Sequence, residues 1–490
     1  MIRPVAALLT AVAALAGCSS PPPEPPDPGD VLAKRISPAA MSAHLQRLQE
    51  IAGAHGGNRA DGTPGFDASV DYVAQALRGQ GFDVQTAEFS RLDTTAAGRP
   101  TLTVAGVNHP VDQASLLVQT PRGGVTSSVI RPDKPAGCLA ADYPAAVAKG
   151  AIAVVDDTWC SIVDKQNAAV ARGAAALVVI SPSDRGGAPE GLFPPRYYDQ
   201  LTVPVAVAGR DVDTALRRAT GPARLVLDTV AVKVTSRNVL AQTTTGSDHD
   251  VVMVGAQLDS AAGGPGINDA GSGVAAVLET ALQLGPSPSV TNKVRFAFWG
   301  AGEERHGGAV DYVFGLGRDE LNDIALYLDF DMLGSPNAGF FTYDGDQSAS
   351  PNRNPNTQIA PEDVPVGSAG IERTLAGYLN LAGKRPADMP LSADTDYSPF
   401  LMAGVPIGGI TTGASQHKTA TQARLWGGKA GAAFDPNYRS ARDTLDAINS
   451  DALAVTGAGV GFAVGRYARS IDGVNGVPPR DKRHRAPLGP

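Results

Sequence analysis

Short apolar runs alternate with amphipathic stretches along most of this chain, and that alternation sets the expected architecture. From Ser37 the pattern is helical: Met41, Leu45 and Leu48 recur about a turn apart. A polar loop follows over 55–65, and Val70, Val73 and Leu77 repeat the spacing across 69–79. Gly81 ends that helix, and Phe82, Asp83 and Val84 open a strand. After about Lys233 the alternation resumes. Apolar runs at 251–256, 294–299, 325–330 and 405–410 are short and unbroken, as strands covered on both faces are. Helices are expected between and after them at 274–284, 309–316, 370–381 and 450–470. Strands alternating with helices predict an α/β fold: a mixed, mostly parallel sheet with helices on both faces.

The texture changes between about Arg99 and Val232. β-like runs are expected at 116–118, 151–155, 176–180 and 203–207, with one helix near 164–172. Within this β-rich stretch, Gly137-Cys138, Asp142-Tyr143, Ala151-Ile152-Ala153, Cys160, Asp164-Lys165, Asn167-Ala168 and Gly173-Ala174 resemble the protease-associated domain often inserted in exported peptidases. That resemblance implies a lid or a substrate-selecting role and no chemistry of its own. The expected organisation is a peptidase-like part at 37–98, the insert at 99–232, and a second part at 233–472. A Pro- and Arg-rich tail from Gly473 is expected to be disordered.

Composition adds mainly exclusions. The chain has 490 residues, 43% of them hydrophobic, and a formal net charge of −8. With no basic stripe, nucleic acid is not an expected partner. Arg3 and the apolar run 5–16 have the form of a signal peptide and are too short for a comfortable membrane span. They end in Leu15-Ala16-Gly17-Cys18, which resembles the lipobox of bacterial lipoproteins. The resemblance implies a signal peptide over 1–17 and a lipid on Cys18, which would become the mature N-terminus on the outer face of the cell membrane. The Pro-rich residues up to Ile36 read as a stiff, extended tether. Two cysteines remain, Cys138 and Cys160. An exported chain meets an oxidising compartment, so they are expected to form a disulfide, the other reading being two free thiols.

Candidate chemistry gathers at strand ends. Residues 251–256 lead into Gln257, Asp259 and Ser260, then into a Gly-rich loop holding Asn268 and Asp269 before a helix begins. Glu303 and Glu304 follow the run 294–299; Asp329 and Asp331 end the run 325–330. Open α/β sheets place ligands at the carboxyl ends of their strands. Carboxylates drawn together there repel one another, and a cation is the usual reason for tolerating them.

Longer motifs sharpen this. Gly255-Ala256-Gln257-Leu258-Asp259-Ser260, Gly266-Ile267-Asn268-Asp269-Ala270-Gly271-Ser272-Gly273, Phe296-Ala297-Phe298-Trp299-Gly300-Ala301, Asp329-Phe330-Asp331-Met332-Leu333-Gly334 and Asp435-Pro436-Asn437-Tyr438 resemble the zinc aminopeptidases of the aminopeptidase Y type. Asn58-Arg59, Gly62-Thr63-Pro64-Gly65 and Tyr72-Val73 fit the same family. The resemblance implies two zinc ions sharing a bridging Asp and a water. One ion takes a His from G-A-H-x-D and the Asp of D-M-x-G. The other takes a Glu from A-E-E and a His following a Tyr. The first Glu of A-E-E is the general base, and the Tyr helps hold the oxyanion. Two cations lower the water's pKa and polarise the scissile carbonyl, while the carboxylate moves the proton.

Carried over position by position, the bridging Asp falls on Asp269, the D-M-x-G Asp on Asp331 and the Tyr on Tyr438. The first His falls on Gln257, whose amide is a weak neutral ligand, and the late His on Arg439, whose guanidinium has no lone pair to give. The A-E-E segment reads Ala301-Gly302-Glu303-Glu304. Without gaps, the base falls on Gly302 and the ligand on Glu303; with one insertion, Glu303 is the base and Glu304 the ligand. His306 and His417 are the candidate replacement ligands. Arg439 is expected to face Asp269 and Glu303, standing in for a cation.

The expected function is a family member that keeps a peptide-sized crevice, takes peptides or protein N-termini, and has lost or impaired hydrolysis. The alternative is an active metalloaminopeptidase with a rearranged metal centre. A third reading is a structural envelope protein without a ligand.

Overall fold

The computed structural model describes residues 26–144, 149–182, 188–189, 191–194, 196–350, 357–472 and 476–488. Cys18 and the signal segment lie outside these residues. An eight-stranded sheet forms the centre, in the order Val84–Ala96, Val230–Gln242, Asn292–Trp299, Ser247–Gln257, Ile324–Phe330, Ile407–Thr411, Phe341–Tyr343, Ala387–Met389. The four strands from Asn292–Trp299 to Ile407–Thr411 are parallel to one another. Antiparallel pairings join Val230–Gln242 to both of its neighbours and Phe341–Tyr343 to Ile407–Thr411. The sheet is therefore mixed, as the sequence pattern predicts.

The central strands hold because they are apolar on both faces. One face packs Val252, Val254, Phe296, Phe298, Leu326 and Leu328 against the helices Pro38–Ala54, Pro64–Gly79, Gly271–Leu284 and Ser450–Arg469. The other packs Met253, Trp299, Tyr327 and Ile407 against Gly307–Phe314 and Phe400. Helix starts follow local chemistry: Ser37 and Thr63 each accept an amide three residues on, with Pro at the first helical position.

The insert leaves the main sheet at Ala96 and returns at Val230, through a long antiparallel ribbon of its two flanking strands. It has its own four-stranded and five-stranded sheets and two buried clusters. The strand Ala176–Ile180 and the helix Ile162–Ala171 lie where the pattern places them. The expected strand at 116–118 is instead a turn. Ser115 closes it, its hydroxyl donating to the Val118 carbonyl at 2.8 Å while the Val118 amide returns to the Ser115 carbonyl. Cys138 and Cys160 form a disulfide.

Two terminal expectations need correcting for the described residues. The tether is not extended throughout: Pro28–Ala33 is a helix capped by Asp27 and laid on Ser450–Arg469. The approach is close because Gly29 and Gly465 carry no side chain; a Cβ on Gly465 would sit 2.5 Å from the Pro28 carbonyl oxygen. Nor is the tail disordered over 476–488. Arg483 and Arg485 are buried, Arg485 on the carbonyls of Leu321, Ile324 and Gly404, and Arg483 on Asp250 and the carbonyls of His249 and Asn322. Arginines that anchor on backbone carbonyls escape a composition-based reading of disorder.

Candidate active site

The parallel strands deliver their carboxyl ends to one edge. Ser247–Gln257 presents Gln257, Asn292–Trp299 leads to Gly302 and Glu303, and Ile324–Phe330 leads to Asp331. The Gly-rich loop after the first of these brings Asp269 to the start of the helix Gly271–Leu284. Asp443 holds that loop by accepting the backbone amides of Asn268 at 2.8 Å and Asp269 at 3.0 Å. Asn268 donates to Asp435 at 2.6 Å, tying the loop to the segment that carries Tyr438 and Arg439.

Arg439 closes the site. Its Nη2 lies 2.7 Å from Glu303 Oε2 and its Nε 4.0 Å from Asp269 Oδ2, with the guanidinium carbon 5.1 Å from the centre of the Tyr438 ring. Both carboxylates thus lie within reach of the expected surrogate cation. The pair is half exposed on the arginine side, so its geometry says more than its contribution to stability. Gln257 turns its amide nitrogen to Glu303 Oε1 and to the Asp259 carbonyl, each at 3.3 Å. Asp259 has no imidazole to orient; it accepts the Gly302 amide at 2.7 Å and the Glu303 amide at 3.2 Å.

Electrostatically the edge is overloaded with acid. Burial, then Asp331 and Glu303, push Asp269 well above the usual carboxylate range, Arg439 opposing. Burial, then Asp329 and Asp396, do the same to Asp331. Asp329, between the hydroxyls of Tyr327 and Tyr343, is pushed to about 8 by burial and Asp396. Burial and Asp269 also raise the Tyr438 phenol. Two buried oxygens, Asp269 Oδ2 and Asp331 Oδ1, accept no hydrogen bond.

Other expected residues fall outside this arrangement. Glu304 is exposed, with its backbone amide in a turn to Ala301. His417 is exposed on a bridge to Ala433. His306 is committed at both ring nitrogens, to Asp396 at 3.1 Å and Asp394 at 3.2 Å. Burial pulls its pKa down, but the two carboxylates outweigh burial and raise it to about 9. Because the folded value lies above the free one, the pair stabilises fully below about pH 6.5 and fades as pH rises through 9. His306→Gln should therefore cost on the order of 3 kcal/mol at pH 6 and much less at pH 10. Equal losses in urea unfolding at the two pH values would refute the ion pair. Asp394, Asp396, Asp443 and the fully buried Arg59 carry structural weight here that no spacing announced; only Arg59 lay inside a quoted motif.

Comparison with known proteins identifies the family. Residues 238–463 match the family model for peptidase family M28, and residues 125–216 match the PA domain. The chain is 47% identical over 449 residues to the probable lipoprotein aminopeptidase LpqL of Mycobacterium tuberculosis, covering 91% of this chain and 88% of that one. It is 39% identical over 428 residues to an aminopeptidase of Pseudomonas aeruginosa, covering 84% and 77%. Among solved structures, an aminopeptidase from Aneurinibacillus sp. strain AM-1 aligns with a TM-score of 0.49 and 22% identity, over 90% of this chain and 96% of that one. The chain belongs to peptidase family M28, with a PA domain inserted in its fold.

Membership of this family implies zinc. The residues present do not fit a pair of zinc ions. The carboxylates Asp269, Asp331 and Glu303 remain, and the orphaned oxygens of Asp269 and Asp331 suit a cation. Neither histidine is there: one position offers an amide turned to Glu303, and the other a permanent cation 2.7 Å from that same carboxylate.

Proposed function

We propose that this chain is an exported lipoprotein whose M28 scaffold binds peptides or protein N-termini and has lost, or much weakened, their hydrolysis. One observation carries the reading: the Arg439 guanidinium pairs with Glu303 and faces Asp269, occupying the charge balance that metal ions would otherwise supply. On this reading Gly302 stands where the general base belongs and Glu303 where a ligand belongs, because Glu303 faces the site and Glu304 faces solvent. Tyr438 keeps its place beside the carboxylates, where its phenol can donate to a peptide carbonyl. The PA domain acts as a lid or selector, and Cys18 carries the lipid that anchors the protein to the outer face of the cell membrane. The name of the mycobacterial relative supports the lipoprotein assignment.

The unpaired oxygens of Asp269 and Asp331 favour a second reading, a metalloaminopeptidase with a rearranged centre. Metal analysis of the purified protein, together with release of amino acids from unblocked dipeptides, separates the two. The first reading expects far less than one zinc per chain and turnover near background. About two zinc ions per chain with robust turnover would overturn it.

A further inference from the structure

A second gathering of carboxylates lies at the opposite edge of the sheet from the ribbon. Asp344 follows the strand Phe341–Tyr343, Asp346 is two residues on, and Glu372 projects from the helix Ser368–Leu381. One oxygen from each lies within 4.8 Å of the others. Asp344 and Glu372 are buried, and Asp346 is exposed. No lysine or arginine among the described residues pairs with any of them. Burial and the neighbouring carboxylates raise both buried acids, Glu372 to about 7.

An acidic cluster alone shows little. The independent observation is Thr342, fully buried, whose hydroxyl has no hydrogen-bond partner. Alternation along the strand puts Thr342 on the same face as Asp344. Its parallel partner is Asp388 and its antiparallel partner Ile410, which fixes that face from both sides. Ile410 shares a buried cluster with Ile371 and Leu375, of the same helix as Glu372, so this is the face that the helix covers. The orphaned hydroxyl therefore belongs to the face under that helix, two residues along the chain from Asp344. Asp388, directly across from it, accepts the Ser348 hydroxyl at 2.9 Å. The loop itself reads Asp344-Gly345-Asp346-Gln347-Ser348, placing oxygen donors at first, third and fifth positions, the spacing with which calcium loops begin.

We propose that Asp344, Asp346 and Glu372, bordered by Thr342 and Asp388, bind one calcium ion, a site separate from the edge that carries Asp269 and Glu303. Oxygen-only donors of mixed kind, on a loop that can adjust, suit calcium rather than zinc, which takes nitrogen and sulfur, or magnesium, which demands a regular octahedron. The ion would fasten the end of the strand Phe341–Tyr343, second from the edge of the sheet, to the helix above it. Tyr343, beside Asp344, reaches Asp329 at 3.4 Å, so the fastening abuts the wall of the active edge.

The test uses the full chain after treatment with chelator. Calcium chloride should raise the melting temperature by at least about 3 °C and compete with terbium, whose luminescence Tyr343 would sensitise. In Asp346→Asn/Glu372→Gln both responses should vanish. In chelator this variant should melt no lower than the parent, because repulsion between the acids is relieved, which separates lost binding from lost folding. A parent indifferent to calcium and terbium, or a double variant that responds as the parent does, overturns the proposal.

Discussion

Restoring His at 257 and 439 and Glu at 302 together should yield a protein that keeps zinc through purification and cleaves unblocked dipeptides at least about 10³-fold faster than the parent. The gain should need all three changes. A Cβ on Gly302 would lie 2.3 Å from Gln257 Cγ and 2.6 Å from its Oε1, so Gly302→Glu alone collides with the amide that fills the space of the base. Arg439→His alone frees Glu303 but leaves no imidazole at 257. Gln257→His alone supplies a ligand and leaves the guanidinium 2.7 Å from Glu303. The combination replaces the amide and removes the cation at once, and it presents the two orphaned carboxylate oxygens to a metal. Zinc analysis and a dipeptide assay check it. A folded triple variant with neither zinc nor turnover would sink the proposed account of the losses.

The same residues show what the sequence could disclose. The apolar runs located the central strands to within a few residues, because buried parallel strands leave an unbroken apolar signature. Gln257, Gly302 and Arg439 stood out as departures because they interrupt long motifs. Their mutual fit did not. That the Gln257 amide occupies the volume a side chain at 302 would need, and that Arg439 reaches Glu303, are facts of packing between positions 45 and 136 residues apart. Short strands such as Phe341–Tyr343 and Ala387–Met389 have too few residues to show a period. The long ribbon at Val84–Ala96 was visible only at its first residue because most of it is half exposed. Buried arginines were the least legible of all, since a charged side chain among turns reads as surface.

Arg59 is the sharpest case, and Arg59→Met should destabilise the protein by about 3–5 kcal/mol. Its side chain is fully buried and donates to three backbone carbonyls of the site loop: Leu258 at 2.5 Å, Pro265 at 2.9 Å and Gly266 at 2.7 Å. Its own backbone closes the clasp, the amide donating to the Ser260 hydroxyl at 2.9 Å and the carbonyl accepting the Ser260 amide at 3.2 Å. Burial pulls its pKa down to about 10, with Asp259, Asp443 and Asp269 opposing, so it stays charged at neutral pH. Methionine fills similar volume and donates nothing, leaving carbonyls in a dry interior that each cost about 1–3 kcal/mol unpaired. Lysine keeps the charge but cannot span three acceptors, and should fall between the two. The loss should be felt locally first: amides of 258–266 should exchange faster well before global unfolding, because this loop is fastened to the rest of the domain through Arg59 at one end and Asp443 at the other. Urea unfolding with hydrogen exchange measures both. An Arg59→Met protein within about 1 kcal/mol of the parent, with the loop equally protected, would mean that the clasp is incidental and that Asp269 is positioned by Asp443 alone.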